Sequence, residues 1–238
     1  MKGNGKAGHT VSIALPIYES VNVKSFMCFL LLQNHLDSVP IPGVRQYGFR
    51  TWSQSGISMA RHGLLVKAFQ EGATHIMWID ADMIFPHDTV HRLMAHDLPV
   101  VGANCVRRQE PYTWTAQDVD GNEVSSVGKT GLEEVGYLGF GVTLMRMDCF
   151  TKIDPPFFNF EWVQDNPQTM AGHYMGEDIY LFDKLASKTG IRPVVDHDLS
   201  RQIKHVGRLE VGYDWAAGWR EANPEAVVGD PAVRAAEH

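Results

Sequence analysis

Two aspartates two positions apart, Asp80 and Asp82, directly follow four consecutive apolar residues, Ile76, Met77, Trp78 and Ile79. Carboxylates offer only acceptor oxygens, and two side by side repel unless a divalent cation or a donor-rich partner neutralises them. A metal is the simplest resolution. The apolar run reads as a strand buried on both faces, and the carboxyl end of such a strand is where open α/β sheets bind their ligands. The bland account of Asp-Xaa-Asp is a surface turn, where aspartate is common. The surrounding chain has to decide between the two.

The chain has 238 residues, 44% of them hydrophobic, enough to bury the core of one catalytic domain. A formal net charge of -7 argues against wholesale attraction to nucleic acid. A local basic patch can coexist with it, and Arg107, Arg108, Arg192, Arg201, Lys204 and Arg208 are its candidates. Cys28, Cys105 and Cys149 are odd in number and lack paired spacing, so neither a disulfide framework nor a zinc site is suggested, and a reducing compartment is expected. The apolar run 26–32 is too short to span a bilayer, which takes ~20 residues. Residues 1–10 lack the hydrophobic segment of a signal peptide. The expectation is a cytoplasmic protein without a transmembrane segment.

The elements that would position the aspartates follow in order. Residues 11–15 read as a buried first strand stopped by Pro16, which cannot donate to a central ladder. Residues 23–34 are helix-like, 44–51 strand-like, and 55–71 a helix with Ala60, Leu64 and Ala68 on one face and Gly72 as its cap. The 74–79 strand comes next. Pro86 suits the first turn of a further helix, residues 99–104 a short strand, and Asp120-Gly121 the turn of a hairpin between 112–116 and 123–127. Residues 135–147 read as a strand whose Gly136, Gly139 and Gly141 would let a ligand or another backbone come close. Gly176 opens a helix with Ile179, Phe182 and Leu185 inward and Gly190 as cap, 192–196 is a last strand, and 199–207 a loop. Taken by itself, the acidic pair Glu177 and Asp178 also has a plain reading as first-turn helix capping. Alternation of strands and helices with one antiparallel excursion implies an α/β fold, a mixed and mainly parallel sheet flanked by helices. Residues 1–10 are expected to be a flexible N-terminus, 11–207 the single domain, and 208–238 a partly flexible extension.

With Asp80-Ala81-Asp82 ending a buried strand in the middle of such a chain, the sequence resembles the GT-A glycosyltransferases, a Rossmann-like nucleotide-diphospho-sugar transferase fold. It is most similar to small stand-alone, family-2-like members of bacterial and phage genomes. The resemblance covers residues 11–207. It is carried by Pro16-Ile17-Tyr18-Glu19, Ala60-Arg61, Asp80-Ala81-Asp82, Gly139-Phe140-Gly141, Gly176-Glu177-Asp178 and His205-Val206-Gly207, in that order. It implies a sugar nucleotide donor, a UDP-sugar by preference, whose diphosphate is bridged by a cation held by Asp82. Asp80 would hold the ribose or reach the metal through water, and His205 would be a further ligand. A mixed imidazole and carboxylate shell favours Mn²⁺ over Mg²⁺. Pro16, Tyr18 and Glu19 match the loop that cradles the base, Ala81 lies between the two carboxylates, and Arg61 matches an arginine facing the nucleotide. His62 stands where many relatives carry Asn. Asp178, or its neighbour Glu177, matches the carboxylate that takes the acceptor's proton in inverting members, with Asp178 the choice.

Two other classes compete. Some phosphatases also place Asp-Xaa-Asp after an apolar strand, but on the first strand, and follow it with a small turn and Thr or Val, where this chain has Met83-Ile84. A non-catalytic nucleotide-sugar-binding module would share fold and site without turnover. No motif selects the acceptor among a glycan, a protein side chain, a lipid-linked sugar and a hydroxymethylated DNA base; Trp114, Trp162 and the aromatics of 157–160 are residues that could stack on a sugar or base.

Overall fold

The computed structural model describes residues 8–18, 20–53, 56–108, 110–169, 171–207 and 210–225. Its centre is a seven-stranded sheet in the order β2-β1-β3-β7-β5-β10-β6. The strands are β1 (His9–Ile17), β2 (Val44–Ser53), β3 (His75–Ile79), β5 (Val100–Gly102), β6 (Leu132–Glu134), β7 (Val142–Arg146) and β10 (Val194–Asp196). The pairings make β1, β2, β3, β5 and β10 run one way, with β7 and β6 against them. This is a mixed, mainly parallel α/β sheet flanked by helices.

All of β3 is buried, and alternate residues serve opposite layers. Ile76 and Trp78 pack with Leu64, Leu65 and Ala68 of α2 (Ile57–Gln70) and with Leu181, Phe182 and Leu185 of α4 (Glu177–Thr189). Met77 and Ile79 pack with Phe29 and Leu32 of α1 (Val23–Ser38) and Leu93 of α3 (Thr89–Ala95). A strand with two dry faces cannot shift register without exposing one of these sets, so the point where β3 ends in Asp80 is held firmly.

Several sequence expectations are corrected. β1 does not stop at Pro16 but runs through it to Ile17, because β3 pairs only with Val11 to Ala14 and asks nothing of the missing N–H beyond that point. Pro86 lies before α3 rather than in its first turn; its carbonyl accepts from the backbone N–H and the hydroxyl of Thr89. The hairpin turn at Asp120-Gly121 is present, with Gly121 at φ 85° and Asp118 Oδ1 accepting from the backbone N–H of Asp120 and Asn122. Its arms are not regular strands. One isolated bridge joins Gln117 to Glu123, and the N–H of Ala116 is taken by Asn104 Oδ1. Only Val142–Arg146 of the expected 135–147 strand is regular. The glycines there admit protein rather than ligand: a Cβ on Gly136 would meet the carbonyl oxygen of Asp118 at 2.3 Å, and one on Gly139 would meet Thr115 at 2.9 Å. In α4 the inward residue is Leu181, and Ile179 is only partly buried.

The expected loop 199–207 takes in the end of α5 (His197–Ser200) and all of β11 (Lys204–Val206), and β11 lies between β4 (Met83–Ile84) and β12 (Glu210–Gly212) in a small second sheet. A hairpin of β8 (Glu161–Asn166) and β9 (Ala171–Met175) had no signal in the sequence, since every residue of β8 is exposed and no apolar face marks it. After β12, α6 (Tyr213–Ala222) packs Tyr213 and Ala216 against Val106, Tyr112 and Trp114. Among the described residues no helix is long and apolar enough to cross a membrane.

Candidate active site

The carboxyl ends of β1 and β3, the start of α2, the start of α4 and β11 surround a cleft of about 640 Å³. Pro16, Tyr18, Arg61, Asp80, Ala81, Asp82, Glu177 and His205 all line it. Residues that the sequence placed far apart therefore meet. Glu19, assigned to the base-cradling loop, lies outside the described residues, as does Arg208 of the basic group.

The Asp80 backbone N–H donates to Gly141 of the antiparallel neighbour, and the Asp80 carbonyl accepts from Met83 N–H, which closes the turn. The N–H of Val206 donates to the carbonyl of Asp82 at 2.8 Å, and β11 pairs with β4 so that His205 stands opposite Met83. That register sets His205 Nε2 3.1 Å from Asp82 Oδ2. The other ring nitrogen, Nδ1, lies 2.9 Å from the carbonyl oxygen of Val106. A carbonyl can only accept, so Nδ1 carries a hydrogen and Nε2 is left to face the carboxylate.

Arg61 is 3% exposed, and its charge is divided between two carboxylates. Nε donates to Glu177 Oε1 at 3.1 Å, and Nη2 donates to Asp80 Oδ1 at 3.0 Å. The guanidinium carbon sits 4.9 Å from the centre of the Phe140 ring. Burial works to lower the Arg61 value, but the charges of Asp80 and Glu177 outweigh it and raise it. Arg61 Nη1 is buried without a hydrogen-bond partner. The side chain assigned to the nucleotide is thus largely spent on holding Asp80 and Glu177 in place. Its neighbour His62 faces away, stacked near Phe157 in a separate groove with Trp52.

Arg108, which sequence reasoning named only as part of a basic patch, donates from Nη1 to Asp82 Oδ2 at 2.5 Å. No local signal marks it: it reaches Asp82 because the segment after β5 meets β11, where the Val106 carbonyl lies against His205. Of the other basic candidates, Arg201 pairs with Asp198 at 2.7 Å. Burial pushes the Asp82 carboxyl up, but the hydrogen bond and charge of His205 and the charge of Arg108 outweigh it, so Asp82 is held below the ordinary range. For His205 burial acts downward and Asp82 outweighs it, so the ring is held above its ordinary value.

Glu177 and Asp178 differ sharply. Glu177 faces the cleft and is neutralised by Arg61. Asp178 is partly buried, with Oδ1 accepting from the N–H of Ile179 at 2.8 Å. Burial, and then the charge of Glu177, push its carboxyl up to about 6. Of the aromatics considered for stacking, Trp114 is buried in the core beside Tyr213, and Trp162 lies on the exposed β8–β9 hairpin against Tyr174.

Among the described residues no group of three or more His, Cys, Asp or Glu side chains is placed to hold a metal ion. Asp82 and His205 do form a pair with suitable spacing. Two ligands at about 2.1 Å and at right angles about one ion lie about 3.0 Å apart, and these are 3.1 Å apart.

A family model described as Anp1, a glycosyltransferase-related family, matches residues 47–133, from β2 to the start of β6, including Arg61 and the Asp80 to Asp82 turn. No curated protein matches the sequence. A solved structure of A197 from STIV superposes with a TM-score of 0.55 at 16% identity, covering 87% of this chain and 91% of that one, a likeness of fold. GalNAc-T7 with UDP, GalNAc and Mn²⁺ gives 0.47 at 12% identity, covering 86% of this chain and 45% of that one. A glycosyltransferase involved in glycosylation of the major capsid of PBCV-1 gives 0.35 at 8% identity, over 60% and 62% of the two chains. The last two are too distant to carry an argument. The fold and the partial family match are consistent with a small GT-A-like protein.

Proposed function

We propose that the chain is a glycosyltransferase that moves a sugar from a nucleoside-diphosphate sugar, a UDP-sugar by preference, to a hydroxyl group. The observation that carries this is the convergence of Asp82, His205 and Arg108 beside Asp80 at the carboxyl end of β3, in a cleft whose size suits such a donor. Residues 11–207 make the catalytic unit, with 208–238 an extension.

Asp82 and His205 would hold a divalent cation, Mn²⁺ before Mg²⁺, with Asp80 beside them. Such a cation would supply charge stabilisation to the departing diphosphate. The Val106 carbonyl orients His205 for this, as a backbone acceptor commonly does for a ligating imidazole. Arg108 is a cation already at Asp82 and on an exposed side chain, so it can turn to phosphate oxygens when the donor arrives. Tyr18, 65% exposed, lines the cleft together with Pro16 and offers its ring to the base. Glu19 completes that loop in sequence.

For the proton, Asp178 is preferred to Glu177, although Glu177 and not Asp178 lines the cleft. A general base works best with its value near the working pH, and Asp178 is pushed up to about 6 while Glu177 is paired with Arg61. The base in an inverting transfer takes the acceptor's proton as the hydroxyl oxygen attacks the sugar. The phosphatase reading would need Asp80 free to attack, whereas both of its oxygens lie within 3.3 Å of Arg61 Nη2. The acceptor, whether glycan, protein or hydroxymethylated DNA base, would enter from the open side of the cleft.

Calorimetry with UDP, with and without Mn²⁺, tests the reading, followed by a panel of UDP-sugars with hydroxyl acceptors. UDP is expected to bind more tightly with Mn²⁺, and Asp82→Ala to remove that gain. Equal affinity for UDP in the variant and the parent would defeat the cation bridge. Donor binding without transfer to any acceptor, in a protein that keeps Asp178, would favour the non-catalytic module.

A further inference from the structure

Helix α1 is apolar on two sides. Phe29, Leu32 and Leu36 are buried among Met77, Ile79 and Phe85, and they account for its attachment to the sheet. Val23, Phe26, Met27, Leu30 and Leu31 recur at intervals of three and four, so they share the opposite face. All five are exposed, from 47% at Leu30 to 74% at Val23. Among the described residues no other helix or strand exposes as many large apolar side chains. A surface helix ordinarily turns polar and charged groups to water on this side. In α1 they take it over only toward the end, at the exposed Asn34 and Ser38. The helix also stands at the border of the molecule: the Phe29 ring meets the Phe49 ring of β2 edge-on, 6.3 Å between centres, and β2 is the terminal strand of the central sheet. None of the five residues lines the donor cleft.

We infer that this face binds a second copy of the chain, with α1 packed on α1 across a twofold axis. The area is sufficient. Taking about 200 Å² for a large apolar side chain, five of them half exposed leave about 500 Å² per copy, at the upper end of what a monomer shows to water. Two copies laid face to face then bury about 1,000 Å², which reaches the lower bound of a specific interface before any rim contact is added. The chemistry also fits. No charge interrupts the stripe, and Phe and Met are enriched at interface cores while charged residues are depleted there. An uncharged apolar face is complementary to itself, which a contact between identical surfaces requires.

A lipid surface fits less well. Helices that lie in a membrane interface carry Lys and Arg along their polar side, whereas α1 has one lysine, Lys24, and an aspartate, Asp37. The formal net charge of -7 opposes anionic lipid as well. The second copy would also bear on the donor cleft. Val23 follows Asn22, which lines the cleft and whose N–H donates to the carbonyl of Ala81 at 3.4 Å, so the interface begins one residue from the cleft wall.

Sedimentation velocity of the full chain over a concentration series tests the inference. The expected result is a dimer whose dissociation constant is micromolar or tighter, the span that interfaces of ordinary size cover. Phe26→Glu and Leu30→Glu, both at exposed positions, should each weaken association by at least about 30-fold, the size of a hot-spot loss, with unchanged melting curves showing that the monomer stays folded. Trp162→Glu removes an exposed aromatic from β8 instead and should leave the dimer intact. A chain that stays monomeric throughout the series overturns the proposal, as does a dimer that Phe26→Glu and Leu30→Glu leave unchanged. Flotation with phosphatidylcholine and phosphatidylserine vesicles covers the other occupant: a monomer that floats with them, and ceases to in Leu30→Glu, assigns the face to membrane and overturns the second copy.

Discussion

Arg61→Met tests whether the buried guanidinium organises the site. Methionine keeps much of the apolar stem but leaves Glu177 and Asp80 facing each other unpaired. The Glu177 partner is dry, 12% exposed at its side chain, whereas Asp80 is 27% exposed and water can screen it. Breaking a buried ion pair by removing one partner costs about 3–5 kcal/mol. The wetter Asp80 pair adds no more than about 1 kcal/mol, and the contact over Phe140 about 0.5–1 kcal/mol. The expected loss is about 3–5 kcal/mol, set by the drier pair. Urea denaturation at pH 7.5 in EDTA measures it. Glu177→Gln in the Arg61→Met background should then cost less than Glu177→Gln alone, with a coupling of about 1–3 kcal/mol. A loss below about 1 kcal/mol, or strict additivity of the two changes, would refute the view that Arg61 is held by these carboxylates rather than kept free for the nucleotide.

Two further outcomes are expected. Asp178 has its folded value raised from the ordinary 3.8 to about 6, so between those values the folded state binds more protons than the unfolded one and stability falls as pH rises through that window. Asp178→Asn should therefore raise stability at pH 7.5 by roughly 1–3 kcal/mol while lowering transfer by about 10²–10⁴-fold; parent activity should fall as pH drops below about 6, and a variant that loses stability would instead mark Asp178 as a helix cap. Tyr213→Phe removes a buried hydroxyl that accepts from the backbone N–H of Ser126 and from Asn104 Nδ2. It should cost about 1–3 kcal/mol in thermal or urea unfolding, and no change would mean that α6 is not anchored by that contact.

The amino-acid sequence by itself determined the parts whose signal is local. The run from Ile76 to Ile79 could be read as a doubly buried strand because both helix layers demand apolar residues there, and its end fixed where Asp80 and Asp82 would sit. Gly176 and Gly190 bounded α4 because a helix start and a left-handed cap, here at φ 73°, are set by the residues at those positions. What only the tertiary structure decided depends on pairings between distant segments. The antiparallel insertion of β7 between β3 and β5 follows from hydrogen bonds, not from the composition of Val142–Arg146. His205 meets Asp82 because β11 pairs with β4, and nothing in Lys204–Val206 declares that partner. Arg61 was assigned to the nucleotide by resemblance, and it was burial between Asp80 and Glu177 that made it a strut. Arg108 was silent for the same reason: a charged side chain carries no pattern of its own, and its role is set by what the fold brings within about 3 Å of it.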